Sequence, residues 1–372
     1  MLLSELTASA SRLALVGLAK NTGKTIALAA LLAELQDAGR LVGVTSVGRD
    51  GEERDVIDLR IEKPRVMLPE GSLVATTDGL LSASGIPHSL LENTGVRTPL
   101  GPVVIARLRE PGAIEVAGPS TAAEVRAVSD AMLGHGAEQV LIDGAIDRRA
   151  ASSPDVSDAL VMSTGAILSN ELDEVVARTR HAVELVRLPR LAHESAAGRR
   201  LREVAQPLEH GTCLLLDESL EAHPLPPRFV LTAETEAIAG VLRDGAPPQW
   251  LLVSGALPEA FLSALAPFVR RAGSELTVVV SDPTKVFLSR HGPGFYARQG
   301  IGLLTLQSID LRALTVNPVA PQSHSFDSSL MRTRLGEAIG GVAIFDVMDP
   351  GYGGDADDRR PATDTASRGG GA

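Results

Sequence analysis

Residues 12–38 read RLALVGLAKNTGKTIALAALLAELQDA, and this stretch decides how the chain folds. The apolar run 12–17 predicts a short buried strand. The polar loop LAKNTGKT follows, and 24–38 predicts a helix rich in Ala and Leu that Gly39 ends as a C-terminal cap. In a strand–loop–helix of this kind, the backbone N–H groups of the loop and of the first helical turn converge on one point and bind phosphate oxygens. Gly23 permits close backbone approach, Lys24 would reach the β- and γ-phosphates, and Thr25 would place its hydroxyl on Mg²⁺. The candidate nucleotide-binding residues are therefore Gly17, Lys20, Asn21, Thr22, Gly23, Lys24, Thr25 and Ile26, with ATP and Mg²⁺ as the expected ligands. The bland alternative is a chance Gly-Lys-Thr at a helix start.

The lysine usage supports a site. Of 35 basic residues only four are lysine (Lys20, Lys24, Lys63 and Lys285), and two of the four fall in this loop. Elsewhere the chain uses arginine for surface charge. Over 372 residues the net charge is −11, which argues against a general nucleic-acid or anionic-membrane binder. No run reaches about 18 apolar residues without charge, so a membrane-spanning helix is not expected. The N-terminus lacks a basic region followed by a long apolar run, which argues against secretion and for a cytoplasmic protein. The single cysteine, Cys213, cannot build a disulfide framework or a cysteine zinc site within one chain, and the eight histidines show no ligand spacing. Cys213 reads as a small core residue and His291 as structural.

The stretch VLIDGAIDR at 140–148 is an apolar strand ending in Asp143-Gly144. A carboxylate at the C-terminal end of a strand beside the phosphate loop can hold Mg²⁺ directly or through water, so Asp143 is a candidate metal ligand and catalytic residue. A plain Asp-Gly turn is the alternative. The loop GRDGEERD at 48–55 follows a second apolar strand. There Asp50 is a candidate catalytic residue, as metal ligand or water-orienting base, and Arg49 a candidate for stabilising transferred charge; a solvated turn is the other reading. Ser169-Asn170 either caps a helix or lets Asn170 read the nucleotide base. Asp155 and Asp158 either line the same edge or cap a turn. No NKxD-type guanine-reading motif is found, which favours ATP over GTP.

Apolar runs of four to seven residues alternate with helical patterns along the chain, which means βαβ units and a parallel sheet. Strands are expected at 41–47, 65–68, 73–76, 103–108, 138–143, 159–164 and 183–188, and helices at 121–135 and 170–182. The fold class is α/β: a P-loop NTPase with a doubly wound, mostly parallel sheet over 1–205, followed by a second, smaller α/β domain over 206–350. The second domain would contain strands at 213–217, 228–232, 250–254, 276–280, 301–306 and 312–316, and helices at 234–243, 257–272 and 327–339. From 351 the chain is rich in Gly, Asp and Arg, the composition of a disordered tail.

The common P-loop has four residues between its first glycine and Gly-Lys, whereas five separate Gly17 from Gly23 here. The five-residue spacing resembles that of dethiobiotin synthetase-like proteins, as does Asp143-Gly144-Ala145. Lys20 lies one position off the signature lysine of the deviant Walker ATPases and is an accessory phosphate contact at most. Those synthetases carry a Lys-Pro pair after the second strand; the matching stretch here is Ser46-Val47-Gly48-Arg49, and Lys63-Pro64 comes too late. This departure counts against an ATP-dependent carboxylate ligase or amidase of the dethiobiotin or cobyrinate type. Taken with TSVGRDGEERD, KPRVMLPEGSLVAT, PGAIEVAGPST, SDALVMSTGA and ALTVNPVAP, the chain resembles the P-loop subunit of the lysine 5,6-aminomutase reactivase over about residues 10–350. The resemblance implies an accessory protein that exchanges damaged cobalamin for adenosylcobalamin at the expense of nucleotide. Its implied partners are the aminomutase and a second reactivase subunit. A module that binds nucleotide without turning it over is a third reading, since no residue is an obvious strong general base.

Overall fold

The computed structural model describes residues 2–48, 65–145, 149–192, 194–206, 208–209, 211–217, 219–225, 250–273, 275–321 and 324–352. A short helix α1 (Leu3–Thr7) leads into β1 (Arg12–Gly17), α2 (Lys24–Asp37), β2 (Val42–Ser46), β3 (Val66–Leu68), β4 (Leu73–Thr77), α3 (Asp78–Ala83), β5 (His88–Thr98), β6 (Gly101–Leu108) and β7 (Gly112–Ile114). Next come α4 (Ala122–Gly134), β8 (Gln139–Ala145), a 3₁₀ turn (Arg149–Ser152), β9 (Ala159–Gly165) and α5 (Leu172–Val186). A second set follows: α6 (Ala196–Ala205), β10 (Cys213–Leu216), β11 (Ala222–Pro224), β12 (Trp250–Val253), β13 (Leu257–Pro258), α7 (Glu259–Ala272), β14 (Leu276–Val280), a 3₁₀ turn (Pro283–Lys285), β15 (Val286–Phe287), α8 (Pro293–Ala297) and β16 (Ile301–Thr305). The chain ends on β17 (Leu311–Asn317), α9 (Ser328–Ile339) and β18 (Ala343–Phe345).

The larger sheet has nine strands in the order β18-β17-β9-β1-β8-β2-β4-β6-β5. It is parallel from β18 to β4, while β6 and β5 run antiparallel at one edge. Its central strands are apolar on both faces because both are covered. Leu13 and Leu15 of β1 pack towards Leu28, Leu31 and Leu35 of α2. Ala14 and Val16 pack on the other face, in the core that holds Val125, Val128 and Met132 of α4 and Val183 of α5. This is an α/β fold built on a large, mostly parallel sheet. The smaller sheet runs β11-β10-β12-β14-β16, with β12, β14 and β16 parallel and β10 antiparallel to both its neighbours.

The sequence pattern assigns 312–316 to the second domain, but β17 pairs with β9 (Ala313↔Val161 through Asn317↔Gly165) and belongs to the larger sheet, as β18 does. The five-stranded unit is thus an insertion between α5 and β17, and the boundaries at 205/206 and 350 do not follow the sheets. The physical reason is that Ala313 and Leu314 are both fully buried, one towards each face, which only a central strand allows. The strand expected at 183–188 is instead the last turn of α5: Val175, Val176, Thr179 and Val183 keep helical spacing on its buried side. Helix α6 and the eleven-residue edge strand β5 were not anticipated, because β5 is nowhere fully buried and carries no apolar run. The strand expected at 228–232 and the helix at 234–243 lie outside the described residues, as does the tail expected from 351 apart from Gly351 and Tyr352, which are ordered turn residues. Tyr352 is anchored: its hydroxyl donates to the buried Glu34 of α2 and accepts from Leu3 N at 3.0 Å, while Ser4 N donates to Glu34 at 2.7 Å. The segment at Leu3–Ser4 and Tyr352 are therefore both tied to α2.

Candidate functional site

Parallel register brings the ends of four strands to one edge of the larger sheet. Gly17 stands beside Ala145 on one side and Ser163 on the other, and Asn317 stands beside Gly165. This carboxyl edge is where ligands bind in open α/β sheets. The loop between β1 and α2 rises from it. Leu18 N donates to Ser163 O at 2.9 Å, and Thr22, almost fully buried, turns its hydroxyl back to Ala19 O at 3.0 Å. A Cβ on Gly17 would lie 2.6 Å from that hydroxyl, so the turn requires glycine. Gly23 has φ +86° and precedes α2 without a side-chain cap. The first N–H groups of this fourteen-residue helix thus have no side-chain cap from Gly23.

Lys24 folds across to the end of β8. Its Nζ donates to Gly144 O at 2.7 Å and forms an ion pair with Asp143 Oδ1 at 2.7 Å, both side chains being about a quarter exposed. The Asp143 carbonyl accepts from Val47 N at 3.0 Å, which ties the end of β2 to the same point. Thr25 is half-buried in the first turn of α2, next to Lys24. Asp143 and Thr25 offer hard oxygen atoms of the kind that suit Mg²⁺. Lys20 is exposed and forms no ion pair or hydrogen bond among the described residues, and Ile26 is exposed on the first turn of α2.

Asn317 is the residue that sequence patterns did not single out for this site. Its Nδ2 donates to Asn21 O at 3.0 Å, and its Oδ1 accepts from Val319 N at 3.1 Å. Asn21 holds a left-handed φ of +65°, uncommon for a residue other than glycine. A Cβ on Gly23 would lie 3.0 Å from Asn317 Cβ, so this side chain closes on the loop. Beneath it, the Ser163 and Thr315 hydroxyls pair at 2.7 Å. The one cue was the Asn-Pro turn after an apolar run, which becomes informative only when β17 is known to lie beside β9.

Asn170 is exposed beyond the turn after β9. Its neighbour Ser169 accepts from His324 Nε2 through its carbonyl at 3.0 Å, so the segment after β17 stands beside it. No hydrogen bond joins the Asn170 side chain to the Gly17–Thr25 loop among the described residues. Asp50, Arg49, Lys63, Asp147 and Arg148 lie outside the described residues. Asp158 does not line the site: it precedes β9 and accepts from Arg12 N at 2.8 Å, at the opposite edge of the sheet, the turn-capping reading. Asp155 accepts from Gln307 Nε2 at 3.1 Å and likewise stands before β9. Cys213 is fully buried, and burial pushes its thiol up to about 12, so it is a core residue. His291 stacks on Phe295 and contacts Glu259, a structural role. Lys285 is half-buried on the turn after β14 and makes no side-chain hydrogen bond or ion pair among the described residues.

No helix among the described residues is long and apolar enough to cross a membrane. Comparison of the chain with protein-family models, with curated proteins and with solved structures finds no match.

Proposed function

We propose that the chain is a Mg·ATP-binding protein of the P-loop kind that serves as the nucleotide-dependent component of a cytoplasmic reactivase for an adenosylcobalamin-dependent lysine aminomutase. The observation that carries the nucleotide reading is Lys24, held against Gly144 O and Asp143 beneath a glycine-dependent loop at the carboxyl edge of a parallel sheet. The aminomutase and a second reactivase subunit come from the motif resemblance. In this reading the loop amides and the first turn of α2 receive the phosphates, and Lys24 turns from Gly144 to the β- and γ-oxygens. Thr25 and Asp143 would hold Mg²⁺, which when bound neutralises charge on the phosphates. Asp50 remains the candidate for orienting water. A radical cobalamin enzyme buries its cofactor, and nucleotide binding can bias the opening that exchange requires.

Two substitutions probe the site. Asp143→Asn should lower the gain in ATP affinity on adding Mg²⁺ by about 10- to 100-fold, the worth of one charge-assisted contact of about 1.5–3 kcal/mol. A magnesium titration identical to wild type would remove Asp143 from the metal site. Asn317→Ala should weaken ATP binding by about fivefold, since the neutral hydrogen bond that steadies Asn21 is worth about 1 kcal/mol, with the thermal midpoint little changed. Unaltered affinity would show that the loop holds its shape without Asn317.

The function itself is tested by recovery of an inactivated lysine aminomutase with this protein, its partner subunit, Mg·ATP and fresh adenosylcobalamin. Recovery that needs both ATP and Lys24 supports the reactivase. Absence of recovery beside an active fresh enzyme would overturn it and favour the carboxylate ligase, which would release phosphate with substrate alone.

A further inference from the structure

The inserted unit is seated on the segment that follows Asp143. Lys24 Nζ donates to Gly144 O, and a Cβ on Gly144 would lie 2.5 Å from Ala151 Cβ. The Gly144 backbone and the fully buried Ala151 side chain are therefore in contact without slack. Ala151 belongs to the turn Arg149–Ser152, which packs against the turn Pro283–Lys285 at the carboxyl end of β14. That second turn is internally braced. Asp282, 2% exposed, accepts from Thr284 N at 2.8 Å, from the Thr284 hydroxyl and from Ser281 Oγ at 2.9 Å.

Ser152, Pro283, Thr284 and Leu288 line an apolar cavity of about 160 Å³ together with Val16 and Met162 of the larger sheet, so this interface is incompletely filled. Polar links across it include Gln307 Nε2 to Asp155 Oδ1 at 3.1 Å and His181 Nε2 to Leu288 O at 3.0 Å. Where the chain enters the inserted unit it pairs with β16: Thr305 N donates to Pro189 O at 3.0 Å and Leu191 N to Thr305 O at 2.8 Å.

We infer that the inserted unit changes position with the nucleotide state of the Gly17–Thr25 loop, through the contact chain Lys24, Gly144, Ala151 and the Pro283–Lys285 turn. The inference rests on the nucleotide-binding reading. Phosphate takes the Lys24 ammonium from Gly144 O and Asp143, so the end of β8 has different partners in the two states. That difference in contacts is what allows a ligand to shift an equilibrium. The packed Gly144–Ala151 contact cannot absorb a displacement, so it passes to the inserted unit. Coupling of this kind would let a partner held by the inserted unit sense ATP.

The test uses the full chain with spin labels at Ser82→Cys, exposed on α3, and Arg271→Cys, exposed on α7, since buried Cys213 does not compete for label. Mg·ATP binding is followed in the same samples by equilibrium dialysis. Bound Mg·ATP should shift the inter-label distance by about 2 Å or more, the scale of interface displacements. Ala151→Gly should keep ATP affinity within about threefold and lose most of the shift. Binding without a distance change, or an unchanged shift in Ala151→Gly, would overturn the coupling while leaving the nucleotide site standing. Absence of binding would overturn both. The wild-type comparison stands whether or not the variant folds.

Discussion

Lys24→Ala should leave a folded chain whose affinity for Mg·ATP is at least about 100-fold below that of wild type. Among the described residues the Lys24 ammonium is the side-chain cation that turns into the loop, at 2.7 Å from both Gly144 O and Asp143 Oδ1. Its transfer to phosphate would make charge-assisted hydrogen bonds, and losing them costs about 3 kcal/mol, a factor of about 100. Lys24→Arg should not restore full binding. A guanidinium is a planar fork rather than a compact point charge, and it would not fit the same position between two strand ends. Lys20→Ala, at an exposed position, should change affinity by no more than about threefold. Equal affinities in Lys24→Ala and wild type would remove the loop from nucleotide binding altogether.

The second large effect concerns the inserted unit. Glu259 opens α7, and its carboxylate gathers a loop. Ser289 N, Arg290 N and His291 N donate to it at 2.8–2.9 Å, joined by the Ser289 hydroxyl at 3.0 Å. The fully buried Tyr296 adds its hydroxyl at 3.3 Å. Desolvation alone would raise the carboxyl pKa, but the amides of Arg290, Ser289 and His291 outweigh it and bring it down to about 2. The helix N-terminus favours the same charge. A folded pKa depressed from 4.5 means stability that is fully present above pH 4.5 and is lost as pH falls towards about 2. With allowance for screening at a side chain 12% exposed, the contribution is about 2–3 kcal/mol. Glu259→Ala should therefore lower stability by about that much at pH 7 and flatten the acid limb between pH 4.5 and 2. Trp250, the only tryptophan, lies in β12 and reports on this unit by fluorescence during urea unfolding. An acid limb as steep in Glu259→Ala as in wild type would contradict the assignment.

Much of the larger sheet was legible because its signals are local. The run Arg12–Gly17, the glycines of the loop and the Ala-Leu helix each carry their own propensity, and the structure places β1 and α2 within a residue of expectation. Asp143 was legible because an acidic residue closing an apolar run falls at a strand end, and β8 lies beside β1. The return of β17 to the larger sheet was not legible, because strand pairing across some 150 residues leaves no mark in a local window. The same gap concealed Asn317, an ordinary Asn-Pro turn until its strand neighbour is known. Strand β5 escaped because half-buried, polar alternation resembles a loop, and the last turn of α5 because VELVRL suits a strand as well as a helix.

The central claim is that the Gly17–Thr25 loop and Asp143 bind Mg·ATP, and equilibrium dialysis of the full chain against labelled ATP tests it most directly. The account predicts saturable binding of one ATP per chain, weakened at least about tenfold when EDTA removes Mg²⁺. Absence of retained ATP at millimolar concentration, with the protein folded, would contradict it.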